Sequence, residues 1–109
     1  MVEYALRLDD IFGSLADPTR RDILHRLQET ELNVSEVAAP YDVSLAAISK
    51  HLKILEKAKL IMKRRQGKQQ IVALQPQTMM QAAAYLNQYE QLWSERFDRL
   101  EQFLIEEDQ

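Results

Sequence analysis

The chain has 109 residues, 46% of them hydrophobic, and a formal charge of −3; that is enough apolar material for one core, and the length argues for a single domain over 1–109. With no cysteine, a disulfide framework, a thiolate metal site and a thiol redox switch are excluded. No apolar run reaches the roughly 18 residues of a membrane helix, and MVEYALRLDD lacks the basic-then-apolar layout of a secretion signal, so a cytoplasmic protein without membrane contact is expected.

In chain order, Tyr4, Leu8, Ile11, Phe12 and Leu15 recur at i, i+4, i+7, i+8 and i+11, the apolar stripe of a first helix. ADPTRRDILHRL opens a second, with Asp17 as N-cap, Pro18 at the first helical position and Ile23, Leu24 and Leu27 buried. Near its start, Arg20 and Arg21 suit either a phosphate backbone or nearby acids such as Asp17. His25 has no second ligand at metal-binding spacing and reads as an ordinary surface histidine. Leu32 to Val34 is expected to be extended, with Ser35 capping a brief third helix through Val37 and Ala38 that Pro40 limits.

A three-residue turn, Tyr41 to Val43, then leads into VSLAAISKHLKILEKAKL. Ser44 stands at its N-cap, and Ile48, Leu52 and Leu55 form a buried stripe. Ala46, Lys50, Lys53 and Lys57 project about 140° to 200° away at 100° per residue. A short helix, a turn and a second helix with a cationic outer face constitute a helix-turn-helix. On the second helix, Lys50 and Lys53 are the strongest candidates for DNA contact, Ser44, Ala46, Ala47 and Ser49 are small enough to let bases approach, and His51 lies at the flank, suited to packing plus a phosphate contact.

Charge is distributed in the same sense. Between Ser44 and Gln69 eight Lys or Arg face one acid, Glu56, for +7, while the other six basic residues and sixteen acids carry −10. Such polarity orients a phosphate-bearing partner. Ile61 to Arg65 and Gln69 to Leu74 alternate as two short strands around Gln66, Gly67 and Lys68, a hairpin with Arg64, Arg65 and Lys68 near its tip, placed to reach phosphates or a minor groove. From Pro76 the chain is helix-forming almost to its end. Met79, Ala82, Leu86, Tyr89, Trp93, Phe97, Leu100 and Leu104 all lie within about 40° of Trp93 on a helical wheel, a stripe of roughly 38 Å that exceeds a small domain and calls for a partner subunit. Leu8 and Phe12 of the first helix are expected beside Leu86, Tyr89, Trp93, Phe97, Leu100 and Leu104 in that dimer interface.

LADPTRRDIL (15–24), VSEVA (34–38), SLAAISKHLKILEKA (44–58) and RRQGK (64–68) together resemble the ArsR-type winged helix-turn-helix transcriptional regulators of bacteria over nearly the whole chain. The resemblance implies a mainly α fold with a small β-hairpin in the order α1-α2-α3-α4-β-β-α5, a homodimer through the terminal helices, and repression at a double-stranded operator of approximate two-fold symmetry. It places Ser49, Lys50, His51 and Leu52 in the DNA-reading helix. Where metal-sensing members carry Cys-x-Cys this chain has Asn33 and Ser35, and after Leu74 it has no histidine, so no metal, cofactor or thiol sensor is expected and any effector is unspecified. Lys59 stands where many members have glycine, which costs about 1 kcal/mol if the backbone there is left-handed. Of the other function classes, an enzyme needs a convergent catalytic constellation that two isolated histidines do not supply. A dimeric protein-interaction module with little specific DNA binding would have lost the cations that are present.

Overall fold

The computed structural model describes residues 2–107, with side chains described from residue 8; Tyr4 of the expected first stripe lies outside the described side chains. The elements are α1 (Val2–Ser14), α2 (Pro18–Leu27), β1 (Leu32–Asn33), α3 (Val34–Ala38), α4 (Leu45–Lys57), β2 (Ile61–Gln66), β3 (Gln69–Leu74) and α5 (Pro76–Glu107). They divide into two compact units at Met79 and Met80.

The first unit closes around Ile11, Ile23, Val37, Ile48, Leu52, Leu55, Leu60, Ile61 and Val72, all nearly inaccessible to solvent. Each except Leu60, which lies between α4 and β2, is an apolar position that helical or strand periodicity turns inward. The small sheet has the order β1-β3-β2, antiparallel throughout. The expected hairpin thus gains a third strand: Leu32 pairs with Val72 and Asn33 with Ile71. In the wing, Ile61 to Gln66 pair with Leu74 to Gln69. β2 therefore runs one residue further than expected, and the bend shrinks to Gly67 and Lys68. Gly67 has φ +64° and Lys68 no positive φ, the pattern of a type II′ turn, which reserves its first central position for glycine.

Two local expectations are corrected, and the condition left open at Lys59 is met. Val34 is already helical, and α3 is capped by Asn33, not Ser35. Asn33 Oδ1 accepts from Glu36 N–H at 2.8 Å while the Asn33 N–H donates to Glu36 Oε1 at 2.9 Å, a reciprocal capping box that Ser35 cannot form with an acid at the required spacing. The connection between α3 and α4 is six residues, 39–44, because the helix ladder stops at Ala38, ahead of Pro40, and Ser44 opens the next helix only after an extended step. Finally, Lys59 does adopt the left-handed conformation, φ 63°. Leu60 N–H reaches Leu55 O at 3.1 Å and Lys59 N–H reaches Glu56 O at 3.0 Å, the two bonds of a Schellman motif, with buried Leu55 and Leu60 as its apolar contact. Gln75 reinforces this exit. Its N–H donates to Leu60 O at 2.9 Å, and the carbonyls of Lys59 and Ile61, at 2.8 and 3.2 Å, assign its side-chain nitrogen to their side.

The second unit consists of α5 beyond Met79. Its stripe remains open: Leu86, Tyr89, Trp93, Phe97, Leu100 and Leu104 are each about half exposed. Among the described residues, no helix is long and apolar enough to cross a membrane.

Candidate nucleic-acid interface

α4 is positioned by its own stripe. Ile48, Leu52 and Leu55 are essentially buried, so the opposite face is obliged to look outward, and Ala46, Lys50, Lys53 and Lys57 are exposed on it. Ser44 fixes where the helix begins: its hydroxyl oxygen accepts from Ala47 N–H at 3.1 Å. Such a cap is worth about 1 kcal/mol. Ala47 and Ser49 are half-buried at the flanks. Among the described residues, neither Lys50 nor Lys53 has a hydrogen bond or ion pair, so both charges stay available to an outside anion.

The expected cation cluster of the wing is partly spent. Arg64 and Arg65 are neighbours on a strand and therefore lie on opposite faces. Arg64 makes a two-pronged bond to Glu31, with Nη2 donating to Oε1 at 2.8 Å and Nη1 to Oε2. That bond holds the Glu31 carboxyl below the usual carboxylate range. Arg64, expected near the wing tip, therefore has its charge already paired, and no sequence periodicity could have revealed a partner 33 positions away. Lys63 is likewise within 3.8 Å of Glu56. Arg65 and Lys68 remain exposed; the Arg65 Nε only steadies the bend by donating to Gly67 O at 3.3 Å.

Of the two arginines expected at a phosphate backbone or at acids such as Asp17, Arg20 is half-buried and Arg21 exposed. Arg20 Nε donates to Ser14 O at 2.7 Å and Arg21 Nη1 to Leu15 O at 2.9 Å, so both guanidiniums satisfy carbonyls at the end of α1. The Arg20 N–H in turn donates to the cap Asp17 at 3.0 Å and is the main reason that the Asp17 carboxyl is lowered from its ordinary range. His51 joins this cluster: its Nδ1 lies 3.2 Å from Arg20 Nη1 and 3.9 Å from Asp17. α4 is thus tied to the start of α2.

Two features escaped sequence reasoning. Arg26 donates to Val37 O at 2.9 Å and Glu36 O at 2.8 Å, capping the five-residue α3, and lies over the Tyr41 ring, whose hydroxyl donates to Asp22. Burial, then the Asp22 bond, raise the Tyr41 phenol. The second is a pair of exposed apolar residues entering α4, Val43 and Leu45, each more than half accessible. Leu45 borders an open groove of about 320 Å³ with Val34, Lys68 and Gln70. The only sequence signal for them was their failure to fit the buried stripe.

This geometry has a counterpart in known proteins. A helix-turn-helix domain family matches residues 15–64. An HTH-type transcriptional regulator of Mycobacterium tuberculosis is 41% identical over 68 residues, covering 62% of this chain and 64% of that protein. The transcriptional repressor SdpR of Bacillus subtilis is 35% identical over 60 residues, 55% of this chain and 67% of its own length. The crystal structure of an ArsR family transcriptional regulator superposes with a TM-score of 0.77 at 36% identity, covering 83% of this chain and 93% of that one. The chain belongs to the ArsR family of transcriptional regulators. Its helix-turn-helix is α3 and α4, and the wing is β2 and β3; both lie within or adjoin the matched 15–64.

Proposed function

We propose that this ArsR-family chain is a sequence-specific, homodimeric DNA-binding repressor of the bacterial cytoplasm, acting on a duplex operator of approximate two-fold symmetry without a metal or thiol sensor. The observation that carries the reading is the outward row of unpaired cations, Lys50 and Lys53, on a helix whose other face is locked into the core. In this proposal α4 enters the major groove, with Ser44, Ala46, Ala47 and Ser49 near base edges and Lys50, His51 and Lys53 at bases or phosphates. Exposed Leu45 joins Ala46 as an apolar surface for thymine methyls. Arg65 and Lys68 of the wing reach the backbone, with Arg64 behind them on Glu31.

The whole chain acts as one winged DNA-binding domain with α5 as its dimerisation arm. Leu86, Tyr89, Trp93, Phe97, Leu100 and Leu104 supply the apolar surface, joined by half-buried Phe12 and, to a lesser degree, by Leu8, which is only 8% exposed.

The test is selection of genomic fragments followed by titration across a salt series. Specific binding is expected to weaken steeply with salt, and Lys50→Ala and Arg65→Ala are each expected to reduce the slope of log affinity against log salt by about one. Binding that ignores sequence at physiological salt, or slopes unchanged in both variants, would contradict the assignment.

A further inference from the structure

His51 is the one residue of the recognition helix that carries both a built inward contact and an unused polar atom. Its inward Nδ1 is 3.2 Å from Arg20 Nη1. A guanidinium has only donors to offer and does not lose its proton, so Nδ1 must be the acceptor. The ring proton is thereby left on Nε2. Arg20 is not free to turn away, because the same guanidinium donates through Nε to Ser14 O at 2.7 Å and through Nη2 to Gly13 O at 3.4 Å. Nε2 has no hydrogen-bond partner among the described residues. Yet His51 is a partly covered side chain and, among the described residues, no buried side-chain nitrogen is left unsatisfied, so this atom reaches solvent.

We infer that Arg20 is a positioning residue which fixes His51 as its Nε2–H tautomer, so that the recognition helix presents a neutral hydrogen-bond donor, flanked in sequence by Lys50 and Lys53, to a phosphodiester oxygen of the duplex. The outward half of this inference rests on the DNA-binding reading above; the inward half does not. Asp17 provides the competing arrangement. Its Oδ2 is 3.9 Å from the same Nδ1, and without Arg20 it would draw the proton onto Nδ1 and leave Nε2 an acceptor, which a phosphate repels. The neutral donor also differs from its lysine neighbours in kind: it adds a directional bond without releasing a counterion.

The experiment joins a spectrum to a titration. In mildly alkaline buffer, nitrogen-15 imidazole spectra of the DNA-free protein are expected to give His51 a pyridine-type Nδ1 and a pyrrole-type Nε2 with no averaging between them, and Arg20→Ala is expected to move the pyrrole-type signal toward Nδ1. Since Arg20 also holds the α1 carbonyls, the wild-type spectrum and a second pair of variants stand without it. His51→Asn keeps an acceptor near Nδ1 and loses the outward donor; duplex affinity should fall roughly tenfold or more, with the salt slope unchanged. His51→Gln, whose amide nitrogen sits near the Nε2 position, should recover most of that loss. A tautomer-averaged wild-type ring or an Nδ1–H ring would overturn the inward half. Undiminished affinity in His51→Asn, or a slope reduced by about one, would overturn the outward half by showing no contact or a cationic one. A wild-type protein that binds no duplex would overturn the outward half together with the functional reading, while the spectrum still decides the inward half.

Discussion

α4 and α5 carry the same kind of sequence pattern and meet opposite fates. In α4, Ile48, Leu52 and Leu55 are at most 1% exposed, while on α5 Trp93, Phe97 and Leu100 are 50%, 62% and 52% exposed. Apolar side chains at helical spacing therefore state that a helix needs a covering surface, not where that surface comes from. For the 13 residues of α4 the surface is the core of its own unit; the 32-residue α5 presents far more apolar area than single scattered exposed residues would, the mark of an interaction face.

The contrast can be broken at the buried end first. Leu52→Ala removes a fully packed side chain and leaves a cavity, which is expected to lower stability by about 2–5 kcal/mol. Urea melts at two protein concentrations check it: the loss should not depend on concentration, because the cover is intramolecular. A smaller effect sharpens the other end of α4. Lys59→Gly relieves a left-handed cost of about 1–2 kcal/mol but gives back roughly 0.4–1 kcal/mol through the unfolded chain. A net gain of about 0.5–1 kcal/mol is therefore expected from the midpoint of the same melts, and a loss would mean that the lysine contributes something beyond backbone geometry.

The smallest expected effect concerns acid. Asp17 is lowered chiefly by the Arg20 N–H and Glu31 chiefly by Arg64. A carboxylate whose folded value is depressed contributes stability that is complete above its ordinary value and disappears as pH falls through the folded one. Stability should therefore drop below the ordinary carboxylate range, and Asp17→Asn with Glu31→Gln should flatten that part of the pH profile, measured by thermal melts. A profile as steep in the double variant as in the parent would assign the acid loss to other groups.

How much of this was legible in sequence depends on whether the deciding interaction was local. The caps at Asp17 and Ser44, the proline opening α2, the buried stripes of α2 and α4 and the glycine of the wing bend all act within a few residues, and each was readable. The third strand was legible only as an extended stretch at Leu32 to Val34; its pairing was not, because a two-residue segment has no period to detect and Leu32 and Asn33 join a sheet only because β3 lies beside them. The cap of α3 was misplaced by two positions since Asn33 and Ser35 are both good caps, and only the reciprocal bond with Glu36 separates them. At the candidate interface, periodicity gave the outward direction of Lys50 and Lys53. It was silent on Glu31 neutralising Arg64, on Arg20 reaching His51 31 positions away, and on Arg26 closing α3. Such pairings are fixed by tertiary placement.

In the proposed dimer the open stripe of α5 is covered by a second copy, which sets the spacing of two reading helices. Sedimentation velocity of wild type and Leu100→Asp with and without labelled operator tests it most directly. Leu100 is half exposed in the single chain, so the substitution should leave each chain folded, yet it places a carboxylate in the dimer core at a cost of several kcal/mol to association. Wild type is expected to sediment as a dimer that binds one operator. The variant is expected to sediment as a folded monomer with only weak, salt-sensitive binding, because two heads must sit roughly 34 Å apart to read both half-sites. A wild-type monomer at micromolar concentration, or a monomeric variant with undiminished operator affinity, would contradict the account.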